Sequence, residues 1–141
     1  MMKINVIYYS STGNTKKMAE LIASGAKENG AEVNLFTMDS ASENEIKDCD
    51  IVLLGSPAMG AENLEETEVE PFIESIEGEV SGKKMILFGS YGWGGGAFMD
   101  EWEQRMEDNG AELLEKSVVV KGEPEGEDSD KLVELGRRIS K

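Results

Sequence analysis

The sequence contains no histidine. That absence removes the commonest general base at neutral pH, the usual catalytic triads and the commonest metal ligand. Hydrolase chemistry is therefore not expected, although carboxylate-based catalysis stays open. Cysteine occurs once, as Cys49, so the chain cannot form an internal disulfide and has no metal-ligand spacing. Both features suit a reducing compartment. Cys49 reads as a partly buried small residue, not a redox centre. Basic residues are also scarce: 14 Lys and Arg stand against 29 Asp and Glu, for a formal net charge of -15. A phosphate backbone or an anionic membrane would be repelled over most approaches, so neither nucleic acid nor membrane is an expected partner. No segment approaches the apolar length needed to cross a bilayer. Met1-Met2-Lys3-Ile4-Asn5-Val6 runs straight into a strand-like segment with no leader pattern, and a cytoplasmic protein is expected. Acidity alone commonly reflects solubility.

What is present is a regular alternation. The 141 residues, 39% of them hydrophobic, suffice for one core, and a single domain over 1–141 is expected. Lys3 to Tyr9 reads as a buried strand through Ile4, Val6, Ile7, Tyr8 and Tyr9. A helix follows from Thr15 to about Asn29, with Met18, Leu21, Ile22 and Ala26 at helical spacing and Gly30 placed to stop it. Ala31 to Met38 forms the second strand, a short helix is expected around Glu43 to Lys47, and Asp50 to Gly55 forms the third strand. Glu66 to Glu77 reads as a helix with a stripe of Val69, Phe72, Ile73 and Ile76. Lys84 to Gly89 is the fourth strand, and Ala97 to Asn109 a helix with Phe98, Trp102 and Met106 inward. Glu112 to Lys121 reads as an uninterrupted fifth strand, and Ser129 to Ser140 as the last helix. Such alternation implies right-handed crossovers and a doubly wound parallel sheet with helices on both faces. Ligands of such sheets bind beyond the carboxyl ends of the strands.

Three of those ends are rich in Ser, Thr, Gly and aromatics, and they should converge. After the first strand, Ser10, Ser11, Thr12 and Thr15 offer hydroxyls, Asn14 an amide, and Gly13 freedom to turn backbone N–H groups toward an anion at a helix N-terminus. This is a phosphate cradle without a cation; the nucleotide-triphosphate ending and the three-glycine dinucleotide pattern are both missing. An ordinary helix cap is the alternative. After the third strand, Ser56-Pro57-Ala58-Met59-Gly60 is either a simple turn or a loop in which Met59 presents a polarizable surface to a flat ring. After the fourth, Trp93 sits among Gly92, Gly94, Gly95 and Gly96, and either packs on the sheet edge or is covered by a planar ligand.

Taken together, Ser-Ser-Thr-Gly-Asn-Thr at 10–15, Pro-Ala-Met-Gly-Ala-Glu at 57–62 and Gly-Ser-Tyr-Gly-Trp-Gly at 89–94 resemble the short-chain flavodoxins, over essentially the whole chain. The resemblance implies a five-stranded sheet of order 2-1-3-4-5 with FMN at its switch point. It implies that Ser10, Ser11, Thr12, Gly13, Asn14 and Thr15 hold the FMN phosphate, and that Met59 and Trp93 sandwich the isoalloxazine. Ser56, Pro57 and Ala58 lead into the first ring loop, and Ser90, Tyr91 and Gly92 belong to the second. The carbonyl at Gly60 would turn to accept a hydrogen bond from flavin N5 on reduction, a turn that a residue with a side chain would make costlier by about 1–2 kcal/mol. Glu62 would meet the pyrimidine side. Ala61 and Gly95 stand where acidic residues are common in that family.

The implied function is a low-potential one-electron carrier with non-covalently bound FMN, cycling mainly between semiquinone and hydroquinone and needing no acid or base of its own. Each carboxylate about 10 Å from the flavin would oppose the anionic hydroquinone by about 0.4–0.8 kcal/mol, or about 20–35 mV. The acidic surface would steer a monomer toward redox proteins presenting basic patches. An NAD(P)H-dependent quinone or flavin reductase on the same fold is the alternative; it would need a nicotinamide pocket for which the chain has little spare length. A phosphoacceptor receiver would need an acidic cluster at strand ends that here carry Ser, Gly, Met and Trp.

Overall fold

The structure, a computed structural model, describes residues 2–11, 13–58, 67–92 and 97–140. Along the chain lie β1 (Lys3–Tyr8), α1 (Asn14–Lys27), β2 (Glu32–Thr37), α2 (Glu43–Lys47), β3 (Ile51–Gly55) and α3 (Val69–Ile76), which runs on into a single 3-10 turn at Glu77–Glu79. Then come β4 (Lys84–Tyr91), α4 (Ala97–Asp108), β5 (Glu112–Leu113), β6 (Val118–Lys121) and α5 (Glu127–Ile139). The sheet is parallel in the order β2-β1-β3-β4-β5, with β6 also on β4.

The near-continuous apolar runs of β1 and β3 are explained by burial on two faces. Ile4, Val6, Ile51, Leu53, Ile86 and Phe88 pack against α1 and α5, alongside Met18, Ile22, Leu132 and Leu135. Their strand neighbours Ile7, Val52, Leu54, Met85 and Leu87 face the other way, onto Phe72, Ile73 and Ile76 of α3 and Phe98, Trp102 and Met106 of α4. Period-two alternation thus fills both layers with apolar groups. The exception is Asn5, buried in β1; its Nδ2 donates to the Glu45 carbonyl at 2.8 Å and its Oδ1 accepts from Asn34 Nδ2 at 3.1 Å. It thereby anchors α2, which a Ser42–Glu45 capping box opens, the Ser42 amide donating to the Glu45 carboxylate at 2.8 Å. Cys49 lies at the end of this unit, half-buried, its Sγ 3.4 Å from the Ile46 carbonyl. Burial pushes its thiol pKa up.

Two expectations are corrected. The fifth strand is interrupted: β5 pairs with Lys84 and Met85, the Leu114 amide still donates to the Met85 carbonyl at 3.0 Å, β6 pairs with Phe88 to Tyr91, and residues 115–117 leave the ladder between them. The cause is side-chain competition from both layers. Glu103 of α4 accepts from the amide and hydroxyl of Ser117 at 3.1 and 2.7 Å, while Arg138 of α5 holds Glu115 at 2.6 Å. The fourth strand, expected to end at Gly89, extends to Tyr91 because β6 supplies partners for Ser90 and Tyr91. Helix boundaries differ slightly: α1 starts one residue early, at Asn14, and ends at Lys27, while α5 starts at Glu127. At the other face Arg105 of α4 meets both oxygens of Glu70 at 2.8 Å and Glu77 at 3.2 Å, locking α4 to α3 and lowering the Glu77 pKa.

The position of α1 is set by glycine. A Cβ at Gly25 would lie 1.9 Å from the Val133 carbonyl oxygen, and one at Gly136 would lie 2.1 Å from that of Ile22, so α1 and α5 touch backbone to backbone. Glycine to alanine in a helix ordinarily gains about 1 kcal/mol. Here Gly136→Ala should instead lose about 1–3 kcal/mol, the usual cost of overpacking. Urea denaturation measures it, and a gain in stability would show that the two helices separate at no cost.

Candidate functional site

The first loop leaves the carboxyl end of β1 and turns through Gly13, at φ 98°, into α1. Gly13 stands at the N-cap of the helix, and the first turn holds no acidic residue. Ser10 supplies a capping oxygen from outside the helix: its Oγ accepts from the amides of Gly13 at 3.1 Å and of Lys16, the third helical residue, at 3.2 Å. The helix-cap reading of residues 10–15 thus holds for Ser10, and it leaves the amides before Lys16 to another acceptor. With both lone pairs engaged, the hydroxyl proton of Ser10 is directed elsewhere. The first N–H groups of a helix lack intrahelical acceptors; the Lys17 amide finds the Gly13 carbonyl at 3.0 Å. The amides of Asn14 and Thr15 have no acceptor among the described residues, and with Ser10 they form a donor set at a positive helix end. Such a set fits a phosphate.

The other two strand ends are held against this loop by a short chain of bonds. The Tyr9 amide donates to the Gly55 carbonyl at 3.0 Å, joining the exit of β1 to that of β3. Beyond β3 the pairing with β4 continues, Ser56 N to Phe88 O at 3.2 Å and Ala58 N to Ser90 O at 2.8 Å. Ser90 then closes the triangle, because its hydroxyl lies 3.1 Å from that of Thr15 in α1. Thr15 and Ser90 are 1% and 3% exposed, so this contact is shielded from water. Close approach is possible because the neighbours are small: a Cβ at Gly89 would lie 2.2 Å from the Ser56 carbonyl oxygen, and one at Gly55 would enter the Phe88 ring.

Of the residues singled out in the sequence, the structure brings together Ser10, Gly13, Asn14 and Thr15 with Ser56, Pro57, Ala58, Ser90 and Tyr91. Ser56 and Pro57 are buried, Ala58 and Tyr91 half-buried, and Ser11 and Gly92 exposed. Ser90 and Tyr91 are the last residues of a strand, not members of a free loop. Thr12, Met59, Gly60, Glu62 and Trp93 lie outside the described residues, as do Ala61 and Gly95. The sequence did not reveal that Thr15 and Ser90 pair, or that Lys16 belongs to the loop through its amide. The only clue was that each is a small polar residue, or next to one, at a strand or helix end. Beside the loop, Tyr8, Tyr9, Ser10, Lys16, Asp39 and Glu68 border a cavity of about 290 Å³.

Comparison with known proteins gives a consistent result. The Flavodoxin family profile matches residues 6–136. A flavodoxin of Clostridium beijerinckii is 46% identical over 137 residues, which are 97% of this chain and 99% of that one. A flavodoxin of Megasphaera elsdenii is 43% identical over 116 residues, covering 82% and 85% of the two chains. The solution structure of the two-electron reduced Megasphaera elsdenii flavodoxin superposes with a TM-score of 0.87 at 39% identity, covering 96% of this chain and 98% of that one.

The Thr15–Ser90 contact should couple the two residues. A double-mutant cycle of Thr15→Val and Ser90→Ala, read by denaturation, is expected to give an interaction energy of about 0.5–1.5 kcal/mol, with each single change costing about 1–3 kcal/mol for the hydroxyl left alone. Strictly additive losses would mean that the hydroxyls are independent.

Proposed function

This chain belongs to the flavodoxin family and is an FMN-binding electron-transfer protein, and from that premise we propose that it is a low-potential one-electron carrier working mainly between the semiquinone and hydroquinone of its flavin. FMN supplies the redox chemistry; the protein binds it, orients it and sets the field around it. In this reading Ser10, Ser11, Thr12, Gly13, Asn14 and Thr15 hold the phosphate. Ser56, Pro57, Ala58, Met59, Gly60 and Glu62 border the ring on one side, and Ser90, Tyr91, Gly92 and Trp93 on the other.

The observation that carries this reading is the donor set at the start of α1: two amides and a hydroxyl, with no acid in the first turn of a helix that belongs to a protein of charge -15. A first helical turn without a carboxylate favours a dianion at its amides. The same net charge acts differently at the ring, where each further electron adds negative charge and is resisted by the surrounding carboxylates. A low potential is the consequence. Beyond a Debye length of about 8–10 Å those charges are screened in physiological salt, so only the nearer ones contribute strongly. The acidic surface also favours redox partners with basic patches and opposes self-association, in keeping with a single-domain monomer.

The phosphate anchor is tested by titrating the apoprotein with FMN and with riboflavin. Ser10→Ala should weaken FMN binding about 10–100-fold, the loss of a hydrogen bond to a charged group, and leave riboflavin nearly unchanged. Equal losses for the two ligands would contradict the role given to the loop, and an apoprotein that takes up no FMN would overturn the whole reading. In an anaerobic redox titration, Gly60→Ala should lower the yield of one-electron reduced protein more than it lowers affinity for oxidised FMN.

A further inference from the structure

Among the described residues, three large apolar side chains stand well into solvent: Leu35 at 39%, and Leu114 and Val119 at 36% each. Leu114 and Val119 lie along the β5–β6 row, which among the described residues pairs with β4 alone and forms an open edge of the sheet. The direction of the free backbone groups follows from the ladder. Gly122 donates to the Tyr91 carbonyl at 2.9 Å, so the residues in step with it, Val120 and Val118, turn their N–H and C=O toward β4. Val119 and Lys121 therefore hold theirs toward the open edge.

Next to this edge, between α5 and the segment that leaves the ladder, lies a groove of about 780 Å³ with Val118 and Val133 in its lining. Its charges are unlike those of the rest of the chain. Lys116, Lys131, Arg137 and Arg138 line it, together with Glu115, Asp130 and Glu134. Arg138 is engaged by Glu115 at 2.6 Å, and Arg137 by Glu28 at 3.1 Å and Glu134 at 3.5 Å. Lys116 and Lys131 have no ion pair among the described residues. The groove thus keeps two free cations against one carboxylate, Asp130, on a protein whose net charge is -15.

We propose that this edge and groove bind an extended acidic segment of a partner protein, which adds a strand beside β6 and turns toward the groove one face on which apolar and acidic side chains alternate, the apolar ones over Val118 and Val133. Main-chain bonds to Val119 and Lys121 would supply affinity, and Lys116 and Lys131 would select acidic side chains. The flanking lysines argue against a second copy of this chain as the occupant, because two such edges would bring like charges together. Docking here would be independent of the flavin reading, and it would tether the carrier while leaving the ends of β1, β3 and β4 uncovered.

The test is a nitrogen-15 NMR titration of the FMN-loaded protein with an end-blocked Val-Ser-Glu-Ser-Val-Ser-Glu peptide, which carries valine and glutamate on one face of a strand. Saturable shifts are expected at Val119, Lys121 and the residues lining the groove, and none with the same peptide carrying lysine in place of glutamate. Lys116→Glu with Lys131→Glu should weaken binding at least about tenfold, with the difference shrinking in about 0.5 M salt. Val119→Pro removes one outward N–H while sparing the bonds to β4, and proline is tolerated on edge strands. It should abolish binding and leave FMN uptake intact. The proposal is overturned by the absence of saturable shifts, by shifts confined to another surface, by wild-type affinity in Val119→Pro, or by concentration-dependent self-association through the same amides.

Discussion

Ser90 is where the three strand ends meet. Its carbonyl accepts the Ala58 amide at 2.8 Å and its hydroxyl touches that of Thr15 at 3.1 Å, so one residue ties the exit of β3, the end of β4 and the first turn of α1. A parallel sheet gives each of these loops the same direction but does not by itself hold them together. The tie does so inside the protein, where water does not compete for either hydroxyl. It in turn requires the backbones of β3 and β4 to approach closely, and Gly89 and Gly55 allow this because a side chain at either would strike a neighbour at 2.2 Å.

The helix that carries the donor set is positioned from the far side by a different constraint. Gly25 and Gly136 let α1 and α5 press backbone to backbone, which fixes where the N-terminus of α1 points. Lys17, one turn in, reaches Glu123 beyond β6 at 3.0 Å and adds a partly exposed pair of small energetic weight. Electrostatics then acts on a fixed frame. The first turn of α1 holds no carboxylate, although acidic residues outnumber basic ones 29 to 14 over the chain.

Much of this frame is legible in the sequence because it is local. The apolar runs of β1 and β3 demand burial on two faces, and α2 falls at Glu43–Lys47 because Ser42 and Glu45 form a capping box. The sheet order is not local; it came from the family resemblance and matches the structure. What was not legible depends on distant partners. The break at residues 115–117 is made by Glu103 and Arg138, which lie 14 and 23 positions from their partners Ser117 and Glu115. The extension of β4 through Tyr91 needs β6, and the buried Asn5 makes sense only once Asn34 and α2 are beside it. For the site, the three loops could be named from composition, whereas the bond between Thr15 and Ser90 joins residues 75 apart and leaves no local trace.

The central claim is that a frame built before the flavin arrives presents the Asn14 and Thr15 amides to its phosphate. Amide hydrogen exchange, followed residue by residue in apoprotein and FMN-loaded protein, tests it directly. The Ala58 amide, bonded to Ser90, should already be protected in the apoprotein, while Asn14 and Thr15 should exchange freely there and slow by at least about tenfold once FMN binds. Unchanged exchange at Asn14 and Thr15, or an Ala58 amide protected only in the presence of FMN, would contradict the account.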